Sequence, residues 1–246
     1  GTSAMTAHRV LVVAAAACLL VSSGLPGGPP AASAHGLPGG PLVPEALGTT
    51  LVAATWRNTS HCGVLLGADG RTSRGGVVAN RRAVKVAMLT ETVGIARSGS
   101  AADTQALRDA VIREVAAASR RRTASSLPTV LQVASLLRHH CYEGKDALSV
   151  SLLCGGWDTR RGAQLYSVTQ GGSLIPSDTF ATSGSGSLPI HAWCEDAWRE
   201  DMSESECESF VRSALVHASK VDSASSGPFT ILHIGPFPVA TKGRSD

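Results

Sequence analysis

The run EALGTTLVAA, Glu45–Ala54, sets Gly48, Thr49 and Thr50 where a Gly- and Pro-rich segment gives way to an apolar one. Two readings fit it. The three residues form a turn before an ordinary strand, or Thr49 is a residue that does not stay in the middle of the chain. Other groups able to do chemistry are Asp69 in GADGRT, Lys85 in RRAVK, Arg97 in IARSGS, Ser185 in SGSGS, and Asp222 and Ser225 in VDSASSG. Taken singly, each has a plain role. Asp69 suits a turn, Lys85 an exposed strand, Arg97 a strand end, Ser185 a helix cap and Asp222 a loop. His139 and His140 have no third ligand at a usable spacing, so they read as structural and no metal is expected. The cysteines, Cys18, Cys62, Cys141, Cys154, Cys194 and Cys207, show neither a CxxC pair nor a zinc spacing. Cys141 and Cys154 lie in apolar runs and read as small core residues.

The chain has 246 residues, 43% apolar and 17% charged, enough to bury a sizeable core without disulfides. A formal net charge of +3 gives no case for nucleic acid as the partner. The one dense basic run, Arg120 to Arg122, closes a helical pattern, where cations suit the helix dipole. Residues 1–4 read as a cloning remnant ahead of Met5. His8-Arg9 and the apolar run Val10–Val21 then resemble a secretory signal, with Ala32-Ser33-Ala34 as a small-residue site. The apolar run is too short to span a bilayer, so no membrane is expected. Asn58-Thr59-Ser60 supplies a glycosylation sequon. Gly24–Pro44, rich in Gly and Pro, reads as a flexible tether or a removable pro-segment.

The elements that must position these groups follow from periodicity. Strand-like runs cover Thr49–Trp56, Gly63–Asp69, Val77–Ala79, Val84–Leu89 and Val93–Ala96. The polar connection RNTSH is too long for a tight hairpin turn. The period then turns helical, with Leu107, Val111, Val115 and Ala118 on one face. After the break at Ser126-Leu127-Pro128 a second helix carries Val130, Val133, Ala134 and Leu137 and ends near Gly144. Strands follow at Ala147–Gly155, Gln164–Val168 and Phe180–Thr182. SGSGS opens a third helix. A fourth starts at Ser203, with Glu206 as the other half of a capping box, and runs to about Lys220. Phe229–Ile234 is a last strand. Helix pairs separated by strand blocks argue for an α+β protein, a four-layer αββα sandwich of two antiparallel sheets flanked by helix pairs.

The segments GTTLVAA, GVLLGADGRT, ANRRAVK, RSGSAADTQ, CGGWDTRRGAQLYSV, GSGS and VDSASSG occur in this order between Gly48 and about Ile234. Together they resemble the proteasome β subunits, which are N-terminal-nucleophile hydrolases of αββα fold. RSGSAADTQ and the GWD…YSV block resemble the caspase-like, beta-1 type. The resemblance implies that residues 1–48 are a leader cut off between Gly48 and Thr49, leaving 49–246 as a single domain. Thr49 then carries its own base. A threonine hydroxyl is a poor nucleophile, and a free α-amine beside it, with a pKa of roughly 8, can take its proton. By the same resemblance Lys85 is the cation that tunes this pair and Asp69 holds Lys85. The Gly99 N–H meets the oxyanion, and Ser185, Asp222 and Ser225 position the amine. Gly48 leaves room for the Thr49 hydroxyl to attack the carbonyl before it.

The resemblance further implies that Arg97 lines the pocket for the residue before the scissile bond and favours a carboxylate there. Thr72, Ser73, Ala83, Ala87 and Ala101 match other pocket or substrate-strand positions. The expected activity is a threonine endopeptidase cutting unfolded polypeptides after acidic residues, without cofactor, in cytoplasm and nucleus. The expected partners are other β subunits in a seven-membered ring and α subunits in the adjacent ring. Two alternatives compete with it: a non-catalytic structural β subunit, and a secreted glycosylated binding protein suggested by the leader and the sequon. The chain departs from the family pattern in a longer first hairpin, in which Cys62 sits, in Leu188-Pro189 and Ser226, and in the small Ala83.

Overall fold

A computed structural model of the chain describes residues 48–74, 77–121 and 127–236. The expected leader, except Gly48, lies outside the described residues, as do Arg122 and Ser126. The elements in chain order are β1 (Leu51–Arg57), β2 (Cys62–Ala68), β3 (Thr72–Arg74), β4 (Val77–Asn80), β5 (Val86–Met88), β6 (Val93–Gly99), α1 (Ala101–Arg121), α2 (Val130–Glu143), β7 (Val150–Asp158), β8 (Gly162–Val168), β9 (Leu174–Ser177), β10 (Phe180–Ser183), α3 (Ser187–Ala197), α4 (Glu204–Val221) and β11 (Thr230–Ile234). One sheet has four strands in the order β10-β1-β2-β11 and the other five in the order β5-β6-β7-β8-β9; β3 and β4 pair separately. Every strand pair is antiparallel.

Strand alternation builds the layers. In β1, Leu51 and Ala53 pack with Val64, Leu66, Ala96 and Leu153 between the sheets. Val52, Ala54 and Trp56 face the other way, against Ile190, Phe210, Val211 and Leu215 of α3 and α4. In the five-stranded sheet, Ile95, Leu152 and Cys154 pack on Val111, Val130 and Leu137 of α1 and α2. Three apolar layers thus join four structural ones, which is the αββα sandwich.

Several boundaries differ from the sequence pattern. Thr49 and Thr50 precede β1. Ala147 and Leu148 lie in the turn after α2, and β7 starts at Val150. Arg97 lies inside β6 instead of at its end. The first hairpin connection is only residues 58–61, and Cys62 is a strand residue paired with Arg57. The Asn58 side-chain oxygen accepts from the Ser60 and His61 amides at 2.9 and 2.7 Å, which holds that turn. The Ser203–Glu206 capping box forms as expected. A second box at Thr129 and Gln132 opens α2. The five cysteines among the described residues are free thiols.

Candidate active site

Sheet pairing, not sequence proximity, assembles the site at one end of the sandwich. Leu51 pairs with Ala68, so Thr50 and Asp69 form the next rung: the Asp69 N–H donates to Thr50 O at 3.2 Å. Leu51 also pairs with Ser183, so the turn after β10 arrives beside Thr49, and the Gly186 N–H donates to Thr49 O at 3.2 Å. Lys85 stands just before β5 and is fixed to β6 by the Arg97 N–H donating to its carbonyl at 2.9 Å. Asp222 caps the C-terminus of α4 and brings Ser225 under Thr50.

Lys85 is the hub. Its ammonium donates to Asp69 Oδ1 at 2.8 Å, Thr49 Oγ1 at 3.0 Å, Gly48 O at 3.2 Å and the carbonyl of Arg71. It is 7% exposed and Asp69 2%. Burial pushes the Lys85 ammonium below its ordinary range, and Asp69 opposes that shift. Asp69 in turn accepts from the Thr50 and Arg71 amides at 2.8 and 3.0 Å, so its orientation is over-determined. The Thr49 hydroxyl donates to Gly48 O at 2.8 Å. Hydroxyl, cation and the carbonyl of the 48–49 bond are therefore in mutual contact.

A second cluster sits on the nitrogen side of Thr49. The Thr49 N–H donates to Ser185 Oγ at 3.1 Å, and Ser185 Oγ donates to Asp222 Oδ2 at 3.2 Å. Ser225 Oγ also donates to Asp222 Oδ2, at 2.7 Å, and accepts from Thr50 Oγ1 at 2.8 Å. Gly186 makes this possible: a Cβ there would stand 2.0 Å from Thr50 Oγ1 and 3.0 Å from Asp222 Oδ2. The Gly186 backbone, not Ser185, is the cap residue of α3.

Gly99 ends β6 at φ +107°, where a Cβ would meet Ser149 O at 2.1 Å. Its neighbour Ser98 and Thr49 O both lie against Gly184, which puts this end of β6 beside Thr49. Arg97 points to the α1 side. Its guanidinium donates to Val84 O at 3.0 Å and Thr104 Oγ1 at 3.4 Å, and its Nε is buried with no partner among the described residues. Burial lowers its pKa, and the Arg108 cation acts in the same direction. Thr72 and Ala83 are half-buried, and the Ala83 N–H donates to Gly70 O at 2.8 Å. Ala87 packs on the core beneath α1 and α2, and Ala101 opens α1, exposed. Ser73 stands in β3; its side chain lies outside the described residues. His140 pairs with Glu114 at 2.7 Å. Among the described residues no cluster of His, Cys, Asp and Glu could hold a metal ion.

The sequence reading missed Arg71, Thr50 and Thr104. Arg71 acts through a backbone carbonyl, which leaves no mark in residue type. The Thr50–Ser225 contact was signalled only by the second threonine of GTT.

A family model described as "Proteasome subunit" matches residues 46–234. "Proteasome subunit beta type-6" of Arabidopsis thaliana is 37% identical over 185 residues, covering 75% of this chain and 76% of that protein. "Proteasome subunit beta type-1" of Saccharomyces cerevisiae is 36% identical over 184 residues, 74% of this chain and 81% of its own. "Proteasome subunit beta type-9" of Homo sapiens is 34% identical over 187 residues, 76% and 82% respectively.

Proposed function

Because the chain belongs to the proteasome β-subunit family, we propose that it is a catalytic member of caspase-like type, a threonine endopeptidase that cuts polypeptides after acidic residues. It works in a stacked-ring particle of cytoplasm and nucleus, with other β subunits in its seven-membered ring and α subunits in the next. Maturation comes first. The Thr49 Oγ1 attacks the Gly48 carbonyl carbon, its proton passes to the Thr49 nitrogen, the 48–49 C–N bond breaks, and an ester forms as the α-amine is freed. Water then hydrolyses the ester, leaving a Gly48 carboxylate and a Thr49 N-terminus. Lys85, on Gly48 O, stabilises the charge that develops on that oxygen. In turnover the free amine takes the hydroxyl proton, Oγ1 forms an acyl ester with the substrate and the amine returns the proton to the leaving nitrogen. Water releases the acyl group. Before the cut, the Thr49 nitrogen is an amide and no base, so the leader silences the site chemically.

The observation that carries this reading is the contact of Thr49 Oγ1 with both Lys85 Nζ, at 3.0 Å, and the carbonyl oxygen of Gly48, at 2.8 Å. A structural subunit has no need of a buried Lys–Asp pair aimed at a hydroxyl. The acidic preference rests on Arg97, which has no carboxylate within ion-pair distance among the described residues. N-terminal sequencing of the chain from its native particle tests the reading: a start at Thr49 is expected. A start near His35 would instead mean secretion, and an uncut leader a structural subunit. In parallel, Thr49→Ala must abolish this subunit's share of hydrolysis after acidic residues; survival of that share would sink the mechanism.

A further inference from the structure

The side chains of Arg71, Arg81 and Arg82 are not used by the mechanism, yet their loops frame it. The Arg71 carbonyl accepts from Lys85, and its N–H donates to Asp69 Oδ2. The Ala83 N–H donates to Gly70 O, tying the 81–84 loop to the 69–71 turn. A Cβ at Gly227 would stand 3.2 Å from Arg81 O and 3.7 Å from the Arg71 nitrogen, so the 225–227 turn meets both. Val84 continues the line: it is 52% exposed, and its carbonyl takes the Arg97 guanidinium. Backbone contacts thus set the segments that carry Arg71, Arg81 and Arg82 side by side, next to the Val84 carbonyl that holds Arg97.

None of these arginines has a carboxylate within 4 Å among the described residues. Arg81 and Arg82 are exposed, and Arg71 is half-buried with its Nε unpartnered. The carboxylates of this region are already engaged. Asp69 holds Lys85 and two amides. Asp222 accepts from Ser185, Ser225 and the Ala224 N–H. Arg81 and Arg82 therefore stand exposed and without an ion-pair partner among the described residues, and unpaired cations beside a site concentrate ligands of opposite sign.

We propose that this rim binds acidic residues of the polypeptide substrate at positions beyond the one before the scissile bond, so that the site selects acidic stretches and not only single acidic residues. The proposal rests on the reading that the Thr49 site takes a polypeptide. Charge complementarity names the occupant. Among these loops no aromatic side chain stands where a base could stack, which favours a peptide over a nucleic acid.

The test is equilibrium binding of fluorescent peptides to assembled particles carrying Thr49→Ala, with and without Arg81→Gln plus Arg82→Gln. Peptides carry Glu or Leu before the bond, and Asp/Glu or Asn/Gln in the flanks. Acidic flanks should tighten binding by about three- to tenfold at low ionic strength, summed over exposed pairs each worth about twofold or more. The gain should shrink in 0.5 M salt, and below about twofold in the double variant, with either residue before the bond. A flank effect absent in the parent particle, or unchanged in the variant, overturns the proposal. So does displacement of the acidic peptide by an oligonucleotide of equal charge as readily as by itself. If the Glu-over-Leu preference is missing while the flank effect is present, the reading of Arg97 fails and the rim stands. The converse result removes the rim alone. Salt dependence in the parent particle decides the matter independently should the double variant not assemble.

Discussion

Replacing Gly48 by alanine should stop maturation while leaving a mature site intact. A Cβ at position 48 would stand 2.2 Å from Ala224 O and 2.4 Å from Ala224 Cβ. Ordinary contact begins near 3.4 Å, so the two segments must part by more than 1 Å. Ala224 cannot yield easily. Its N–H donates to Asp222 Oδ1 at 2.9 Å, and the next residue returns to the Asp222 carbonyl at 3.1 Å. The displacement therefore falls on the 48–49 carbonyl, which must stay beside Thr49 Oγ1 and Lys85. A misplacement of about 1 Å at a reacting centre costs on the order of 100-fold in rate. The assay is a time course of intact mass for the subunit in newly assembled particles, read for loss of the leader. A chain supplied with Thr49 already at its N-terminus contains no residue 48 and should be fully active. Cleavage of Gly48→Ala at the parental rate, or an equal defect in the pre-cut chain, refutes the argument.

Other outcomes follow from the same geometry. Lys85→Met strands the buried Asp69 carboxylate and should cost about 3–5 kcal/mol of stability as well as all cleavage. Adding Asp69→Asn should recover much of the stability and none of the activity, read from denaturant midpoints and N-terminal mass. Arg97→Leu should lower kcat/KM after glutamate by about 10- to 100-fold, the worth of one or two charged hydrogen bonds, and raise cleavage after leucine. Burial lifts the thiols of Cys154, Cys194 and Cys207 from 9.0 to about 12 and that of Cys141 to about 11. Unfolded thiols ionise first, so the stability these groups share below pH 9 is lost as pH rises toward 12, by up to about 1.4 kcal/mol per unit per thiol. Lys85, lowered instead of raised, has the opposite sign: its destabilising cost is full at low pH and fades as pH climbs through its folded value. Denaturant midpoints between pH 8 and 11 should fall, and less steeply in Cys154→Ala.

The layers were legible because long elements carry long patterns. In β1 the residues Leu51 to Ala54 are apolar and buried on both faces, as a strand between two apolar layers must be, and Ser203 with Glu206 announces α4. The two missed strands are short or at an edge, where the pattern is weakest. β3 has three residues, and β9 closes the five-stranded sheet with Pro176, tolerated because an edge strand can spare a ladder donor. Ala147 and Leu148 are as apolar as strand residues, but Gly144 ends α2 so close before them that the chain is still turning. The site was less legible. Thr49 and Ser185 lie 136 positions apart, and only the pairing of β1 with β10 brings them together. No periodicity in either segment encodes that pairing. What joined these residues beforehand was the ordered set of motifs, each weak alone.

If the 48–49 bond is cut as proposed, the cluster around Lys85 would serve two chemical states of Thr49. An ammonium has three protons to give. In the uncut chain four acceptors surround it, of which Gly48 O, at 3.2 Å, lies farther off than Thr49 Oγ1 at 3.0 Å or Asp69 Oδ1 at 2.8 Å. That surplus is useful before the cut, because the most weakly held acceptor is the one that gains negative charge during attack and then draws the ammonium closer. With Gly48 removed as proposed, three acceptors would remain for three protons, and nothing in the cluster would have to rearrange. The Thr49 hydroxyl, which donates a hydrogen bond to Gly48 O before the cut, would then be free to donate to the new amine. Ser185 Oγ, already 3.1 Å from that nitrogen, receives an amine where it held an amide. On the proposed mechanism the maturation step would therefore exchange one hydrogen-bond partner for another within a fixed frame, and the rigidity supplied by Asp69, Asp222 and Gly186 would serve both reactions.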